Sequence, residues 1–291
     1  MGHSPSWGLM VVRSSVVFTI ALASISWLMP LRGIGEEPSI SPALHPWGRF
    51  DPGAWKTVRV ITETLNEQGQ VVSTTTTDTK TTLVDRDHDG VTLEIQACME
   101  VAGKRFSADS QLVKQGYYGE LLCPNLRAQP PTDDQVIIEA QKIPCKVQRL
   151  ESDAVSGRTS ITLYCSTTIA PYVLRRECVA SDAQGKTVET HVEVLALNMP
   201  VEVRAEMKNG IKVKTVRTDS AGTVTTWADV VPEVPGGVVK NSSREVDKTG
   251  RLVRRSTLVL VDYSDDPDKD RSGLFRSRKR HRTKTASRYG A

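Results

Sequence analysis

One spacing constrains this chain more than any other. Five times an Asp or Asn stands three residues ahead of a Gly, with alternating segments on either side. The pairs are Asn66 and Gly69, Asp87 and Gly90, Asp182 and Gly185, Asp219 and Gly222, and Asp247 and Gly250. A carboxylate or amide at the first position of a turn bonds the backbone two residues on. A glycine at the fourth accepts the left-handed conformation that closes the turn into a hairpin. Asn209-Gly210 is the two-residue version and is expected to form a type I′ turn. In residues 91–101 the odd positions read Val, Leu, Ile, Ala, Met, Val and the even ones Thr, Glu, Gln, Cys, Glu. Val201, Val203, Ala205 and Met207 alternate in the same way with Glu202, Arg204, Glu206 and Lys208. A period of two with one polar face is the pattern of a half-buried antiparallel strand.

Two of these hairpins align with each other. Val173 to Leu195 superimpose without a gap on Val238 to Leu260, turn included. The alignment reads as an internal duplication. With Pro144 and Pro200 taken as the starts of corresponding strands, the repeat units are 144–197 and 200–261. The expected fold is therefore mainly β: consecutive antiparallel hairpins forming a curled sheet, an open barrel or a sandwich.

The rest of the chain arranges itself around that body. Residues 14–31 are predominantly apolar, follow Arg13 and have no polar face. They read as a secretory signal peptide or a signal-anchor within residues 1–35, which places the body outside the cytoplasm. Residues 36–54, rich in proline and without sustained periodicity, read as a linker. The β-rich body is expected over residues 55–264. Residues 124–135, with three prolines and Asp133-Asp134, form a possible lobe boundary. Residues 135–141 have the composition of a short helix. Residues 265–291 are expected to be a disordered basic tail, because 271–291 carry eight Lys or Arg and no acid. Without that tail the chain has 30 basic and 34 acidic residues, so a net charge of +4 conceals an acidic body.

Such a tail suits an anionic envelope polymer or lipid head groups. Export makes nucleic acid an unexpected partner.

Signatures of catalysis are sparse. The sequence holds no glycine-rich phosphate loop, no Gly-x-Ser-x-Gly elbow and no His-Glu-x-x-His. His191 falls on the polar face of a strand, where a solvated imidazole is expected. Asp85, Asp87 and Asp89, followed by Gly90, match positions one, three, five and six of a calcium loop. Position twelve is Gln96 rather than a bidentate Glu, and strands flank the loop, so an acidic turn tip is the competing reading. Cys98, Cys123, Cys145, Cys165 and Cys178 are odd in number, so at least one lacks an intramolecular partner. Cys145, Cys165 and Cys178 stand on successive expected strands and could meet across the sheet.

The apolar leader and the consecutive hairpins over residues 55–263 resemble exported bacterial β-rich proteins of unknown function. Beyond them, the chain is similar to the open β-barrels of the lipoprotein-localisation carriers. No residue role is carried over, and the helical lid those carriers place across the barrel mouth has no counterpart in this sequence. The function expected is that of a non-enzymatic exported binding or structural module of the cell envelope. The alternative is a carrier holding an acyl chain or another apolar ligand inside the curled sheet. An uncovered apolar face around a cavity of several hundred cubic ångströms would favour the carrier, and a filled core the module. Clustered carboxylates or a Cys-His pair in a cleft would point to an enzyme.

Overall fold

A computed structural model of the chain describes residues 41–118, 126–154 and 157–266. The apolar leader and residues 267–291 lie outside the described residues, and so does Cys123. Among the described residues no helix is long and apolar enough to cross a membrane.

Apart from one turn of 3-10 helix, Pro42–Leu44, the regular structure described is strand. The first five strands are β1 (Trp55–Leu65), β2 (Val71–Arg86), β3 (Gly90–Val101), β4 (Lys104–Ser107) and β5 (Gln111–Gly116). The next five are β6 (Arg127–Ala128), β7 (Thr132–Ile138), β8 (Gln141–Ala154), β9 (Gly157–Cys165) and β10 (Val173–Asp182). The last five are β11 (Thr187–Val203), β12 (Glu206–Thr218), β13 (Gly222–Val230), β14 (Val238–Asp247) and β15 (Leu252–Ser264). All belong to one curled antiparallel sheet, ordered β4-β3-β2-β1-β15-β14-β13-β12-β11-β10-β9-β8-β6, with β5 also on β3 and β7 on β8. Residues 124–135 thus contribute β6 and β7 to the common sheet, and residues 135–141 form strand and turn rather than the short helix expected.

The sheet is a meander whose first and last strands pair, from Trp55 with Ser264 to Thr64 with Arg254. It does not close into a barrel. The break falls between β4–β5 and β6–β7, on either side of the segment joining residues 118 and 126. Side chains bridge that seam. Tyr117 packs with Trp47, Leu83, Val91 and Leu93 on one side. Its neighbour Tyr118 packs with Leu150, Ile161, Leu163 and Cys178 on the other. The Tyr118 carbonyl accepts from Arg176 Nη1 at 3.3 Å.

The two ends of the sheet differ. At one end the connections are tight, and the Asx chemistry read from sequence governs four of them, Asp219 included, whose Oδ1 accepts from Ala221 N–H at 2.7 Å. Asn66 Oδ1 accepts from the N–H groups of Gln68 and Gln70, Asp182 Oδ1 from Gln184 and Lys186, and Asp247 Oδ1 from Thr249 and Arg251, all at 2.8–3.1 Å. Gly69, Gly185 and Gly250 close these turns with φ of 75°, 77° and 83°. The Thr249 hydroxyl, then the Arg251 and Thr249 N–H groups, holds the Asp247 carboxyl down at about 2. Asp219 and Gly222 flank a shorter turn at the same end, with Asp219 N–H donating to Gly222 O at 3.0 Å. Asp87 and Gly90 form the same short turn at the opposite end. Gly90 is not left-handed there. It is needed for close approach, since a Cβ would stand 1.9 Å from the Gln115 carbonyl oxygen.

The aligned hairpins β10–β11 and β14–β15 begin and turn at equivalent residues. However, β14–β15 has a bulge between Glu245 and Val246, while β10–β11 runs from Arg175 to Ser181 without a register shift. Asn66 makes the same turn outside the alignment, so the turn chemistry by itself does not mark a duplication. Pro144 and Pro200 do not begin corresponding strands. Pro144 stands near the start of β8 opposite Gln135, and Pro200 near the end of β11 opposite Asn209. The expected Asn209-Gly210 turn is also corrected. Both residues lie inside β12, and the hairpin closes at Arg204 and Ala205, with φ of 53° and 62°. Gly210 instead gives Val201 room to pack, because a Cβ would approach Val201 Cγ2 to 2.3 Å.

Replacing Gly185 or Gly250 with Val should destabilise the protein by about 1 kcal/mol or more in chemical denaturation. A Cβ at either position meets no atom within 4 Å, so the loss is one of backbone conformation alone. Asn, which tolerates the left-handed region, should therefore cost less than Val at both positions.

Candidate functional site

The end of the sheet opposite the tight turns carries long connections, and the segment ahead of β1 is packed among them. Residues 41–54 are not the free linker expected. His45, Trp47 and Ala54 are buried, and Trp47 joins the apolar cluster of Leu83, Val91, Leu93 and Tyr117. The strap is tied on both sides. Pro46 O accepts from Gly236 N–H at 3.3 Å, in the β13–β14 connection. Arg86 Nη1 donates to Gly48 O at 2.9 Å and Phe50 O at 3.2 Å. The Lys56 ammonium donates to Gly236 O and Val238 O at 3.2 and 3.3 Å and stands 5.8 Å from the Trp47 ring centroid. Burial pulls its pKa down to about 8.

His45 is the hinge of this packing. Its Nδ1 accepts from Trp47 N–H at 3.2 Å, and its ring meets Tyr117 edge-on with centroids 6.2 Å apart. Accepting at Nδ1 requires the neutral ring. Burial lowers the pKa to about 4, against a smaller upward pull from the Gln115 side chain.

Beside the strap lies a cavity of about 870 Å³. The strap contributes Arg49, Phe50 and Asp51 to it. The β8 side adds Gln141 and Ile143, and the β9–β10 connection adds Thr168, Ile169, Ala170 and Tyr172. Leu197, Asn198, Asn209, Gly210 and Ile211 come from the bend of the β11–β12 hairpin. Pro232, Glu233 and Asp265 complete the rim. Its floor is the cluster built on Ile143, Leu174, Val194 and Ile211.

Local structure explains how these walls hold. Two register shifts after Val194 turn the outer part of β11–β12 across the sheet end. The tip then docks on β15, with the Arg204 guanidinium 4.3 Å from the Tyr263 ring centroid and paired with Asp262. Glu139 in the β7–β8 turn accepts from Leu197 N–H at 3.1 Å. Ser166 Oγ accepts from Thr168 and Ile169 N–H groups at 3.3 and 3.1 Å, and Tyr172 O accepts from Ser166 N–H. The Arg49 guanidinium lies 5.4 Å from the Tyr172 ring centroid.

The acidic turn singled out in the sequence lies at this same end. Asp87 and Asp89 approach each other with His88, while Asp85 is not part of that group. Asp87 Oδ1 is occupied by the Asp89 and Gly90 N–H groups. Its Oδ2 takes the Lys114 ammonium at 2.6 Å, and Asp89 lies 3.6 Å from the same nitrogen. The Lys114 hydrogen bond is the main cause holding the Asp87 carboxyl below its ordinary range. Lys114 of β5 thus places a positive charge against both carboxylates.

The described cysteines Cys98, Cys145, Cys165 and Cys178 are free thiols. Burial, with the Cys145 thiol alongside, pushes Cys165 up to about 11, the reverse of what a thiolate nucleophile needs. His191 stands half-exposed between Glu177 at 3.8 Å and Glu193 at 3.7 Å, on the polar strand face expected of it. The cavity residues themselves escaped the sequence reading. They sit in bends and connections without periodicity, and the strap's Pro, Trp, Arg and Phe look like linker until Leu83 and Tyr117 are placed against them.

The buried imidazole makes acid sensitivity calculable. The folded-state pKa lies below the unfolded value, so the contribution is fully present above pH 6.5 and is lost as pH falls towards about 4. The slope over that window should approach about 1.4 kcal/mol per pH unit. Denaturation of the native protein and of His45→Gln at pH 5 and pH 7 checks this, and the variant should lose much of the difference between the two.

No family profile matches the chain, and no curated protein does. Among solved structures it is similar to a chain from Bacteroides fragilis NCTC 9343, described as a candidate exported protein with a YmcC-like fold. The identity is 9%, the match covers 73% of this chain and 97% of that one, and the TM-score is 0.29. It is also similar to a candidate lipoprotein from Parabacteroides distasonis ATCC 8503, at 13% identity, the same two coverages and a TM-score of 0.28. What the chain shares with them is a resemblance to exported β-rich proteins of unknown function.

Proposed function

We propose that this protein is a non-enzymatic, exported β-module of the cell envelope that holds a ligand at the long-connection end of its curled sheet. The observation that carries the reading is the cavity of about 870 Å³ between the strap, the β9–β10 connection and the bent β11–β12 hairpin. That volume falls in the range of roughly 300–1,000 Å³ typical of small-molecule sites. Its walls contain no His, Cys, Ser or Lys; the three carboxylates among them, Asp51, Glu233 and Asp265, are exposed to solvent, and Asp51 pairs with Arg86. Export rests on the apolar segment 14–31.

The acyl-carrier alternative fits less well. Buried side chains such as Leu150, Ile161 and Leu163 fill the face of the sheet near the seam. The cavity walls interleave apolar residues with eight polar or charged ones. An alkyl chain would desolvate those groups without pairing them.

Native mass spectrometry of the protein recovered from an exported compartment tests the reading. A bound small molecule should be retained under gentle ionisation and lost on unfolding. Uniformly ligand-free protein, or a reporter fused after Tyr263 that works only in the cytoplasm, would count against it.

The same proposal assigns residues 271–291 to attachment. Eight positive charges without an acid should bind an anionic polymer or lipid head groups, and the contact should weaken as the Debye length falls from roughly 10 Å at 0.1 M salt to about 3 Å at 1 M. Retention on an anionic matrix over a salt series, compared with a chain ending at Asp266, measures this. Equal retention of the two chains would remove the assignment.

A further inference from the structure

We infer that the cavity is built for a neutral, polyhydroxylated ligand, that is, a short saccharide. The inference rests on the ligand-binding reading above and specifies the chemistry of that site.

The first observation is where the backbone is held in a disfavoured conformation. Seven non-glycine residues among those described have positive φ. Ala102, Glu139, Ala140, Arg204 and Ala205 are accounted for by the two-residue turns they form between paired strands. The remaining two are Tyr172, at 71°, and Asn198, at 53°. Neither belongs to such a turn, and both line the cavity. Asn enters the left-handed region at little cost, but an aromatic residue there is a true outlier. Such positions concentrate where side chains are aimed at a ligand.

The second observation is the kind of polar group the walls present. Gln141, Asn198 and Asn209 each offer a carbonyl acceptor and an amide donor. Glu233 and Asp265 add acceptors at the solvent-exposed rim. Arg49 Nε is buried and also lacks a partner there. A sugar hydroxyl donates and accepts at once, so neighbouring hydroxyls can satisfy mixed amide, carboxylate and guanidinium walls. An acyl chain would leave them stranded. A phosphate or carboxylate would meet three carboxylates, Asp51 among them, against one guanidinium. Phe50 and Tyr172 are the aromatic residues of the lining, the first packed on the Trp47 cluster and the second beneath the Arg49 guanidinium.

The test is calorimetric titration of the full chain with tetramers of N-acetylglucosamine, glucose and mannose, and with dodecanoate as the apolar probe. At least one tetramer should bind with a Kd below about 1 mM, and Asn198→Gly should weaken it by about ten-fold or more. Glycine keeps the left-handed backbone while removing the amide, so the melting temperature should hold. Asn209→Ala provides a second variant on a different element. Tetramer binding that both variants leave unchanged places the sugar elsewhere and overturns the inference. Dodecanoate binding without any tetramer also overturns it but leaves the ligand-binding module standing. Binding of neither probe, together with ligand-free protein in native mass spectrometry, removes both. Cleavage of a bound tetramer would keep the saccharide and refute the non-enzymatic reading.

Discussion

The pairing of β1 with β15 is the constraint on which the rest of the fold depends. It joins residues 192 apart in sequence, as the Arg255–Glu63 ion pair shows. Bringing them together costs chain entropy, but the cost rises only logarithmically, by about 0.6 kcal/mol per doubling of loop length. Ten register pairs from Trp55 to Thr64 form along the ladder in return. Because β1 also pairs with β2, it becomes an interior strand, and the two ends of the meander cease to be edges. The sheet therefore has one seam, and it lies mid-chain, beside the segment joining residues 118 and 126.

That seam is closed by side chains where a barrel would use backbone. Tyr117 and Tyr118 are adjacent in sequence yet belong to clusters on opposite sides of it. The strap reinforces one side, since Trp47 fills the same cluster as Tyr117. Burying a large apolar side chain contributes roughly 1.5–3 kcal/mol, so a few such residues can substitute for a missing ladder. Backbone closure fixes register to the residue, whereas packed side chains need only shape.

How far this was legible follows from where the information resides. The turns at Asn66, Asp182 and Asp247 were readable because side chain and backbone bond within five residues. Strands such as β1, β10, β14 and β15 begin at the residues the alternation indicates. The left-handed pairs Glu139-Ala140 and Arg204-Ala205 were not readable, because nothing in their side chains demands that conformation; strand pairing imposes it. Asn209-Gly210 misled for the complementary reason: its glycine makes room for Val201 rather than turning the chain. The acidic motif was legible as spacing, but the partner that Asp87 takes in the fold, Lys114, lies 27 residues on and reaches it only through β3–β5 pairing. The strap was invisible because its burial depends on residues that follow it by 36 positions, as Leu83 follows Trp47, up to 190, as Gly236 follows Pro46.

The same geometry couples the site to the fold. His45 and Trp47 anchor the strap, and Arg49, Phe50 and Asp51 line the cavity two residues further along. A ligand that touches those three residues binds only a chain whose strap is seated, and the strap is seated only where the Tyr117 side of the seam is packed. Under the proposed ligand-binding function, occupancy would stabilise the whole sheet by RT ln(1 + [L]/Kd), about 2.7 kcal/mol at a hundred-fold excess over Kd. The reverse holds with equal force: whatever loosens His45 or Trp47 is felt at the cavity without altering a residue that lines it. The cavity thus shares its strap with the cluster on the Tyr117 side of the seam, where side chains rather than a backbone ladder hold the sheet together.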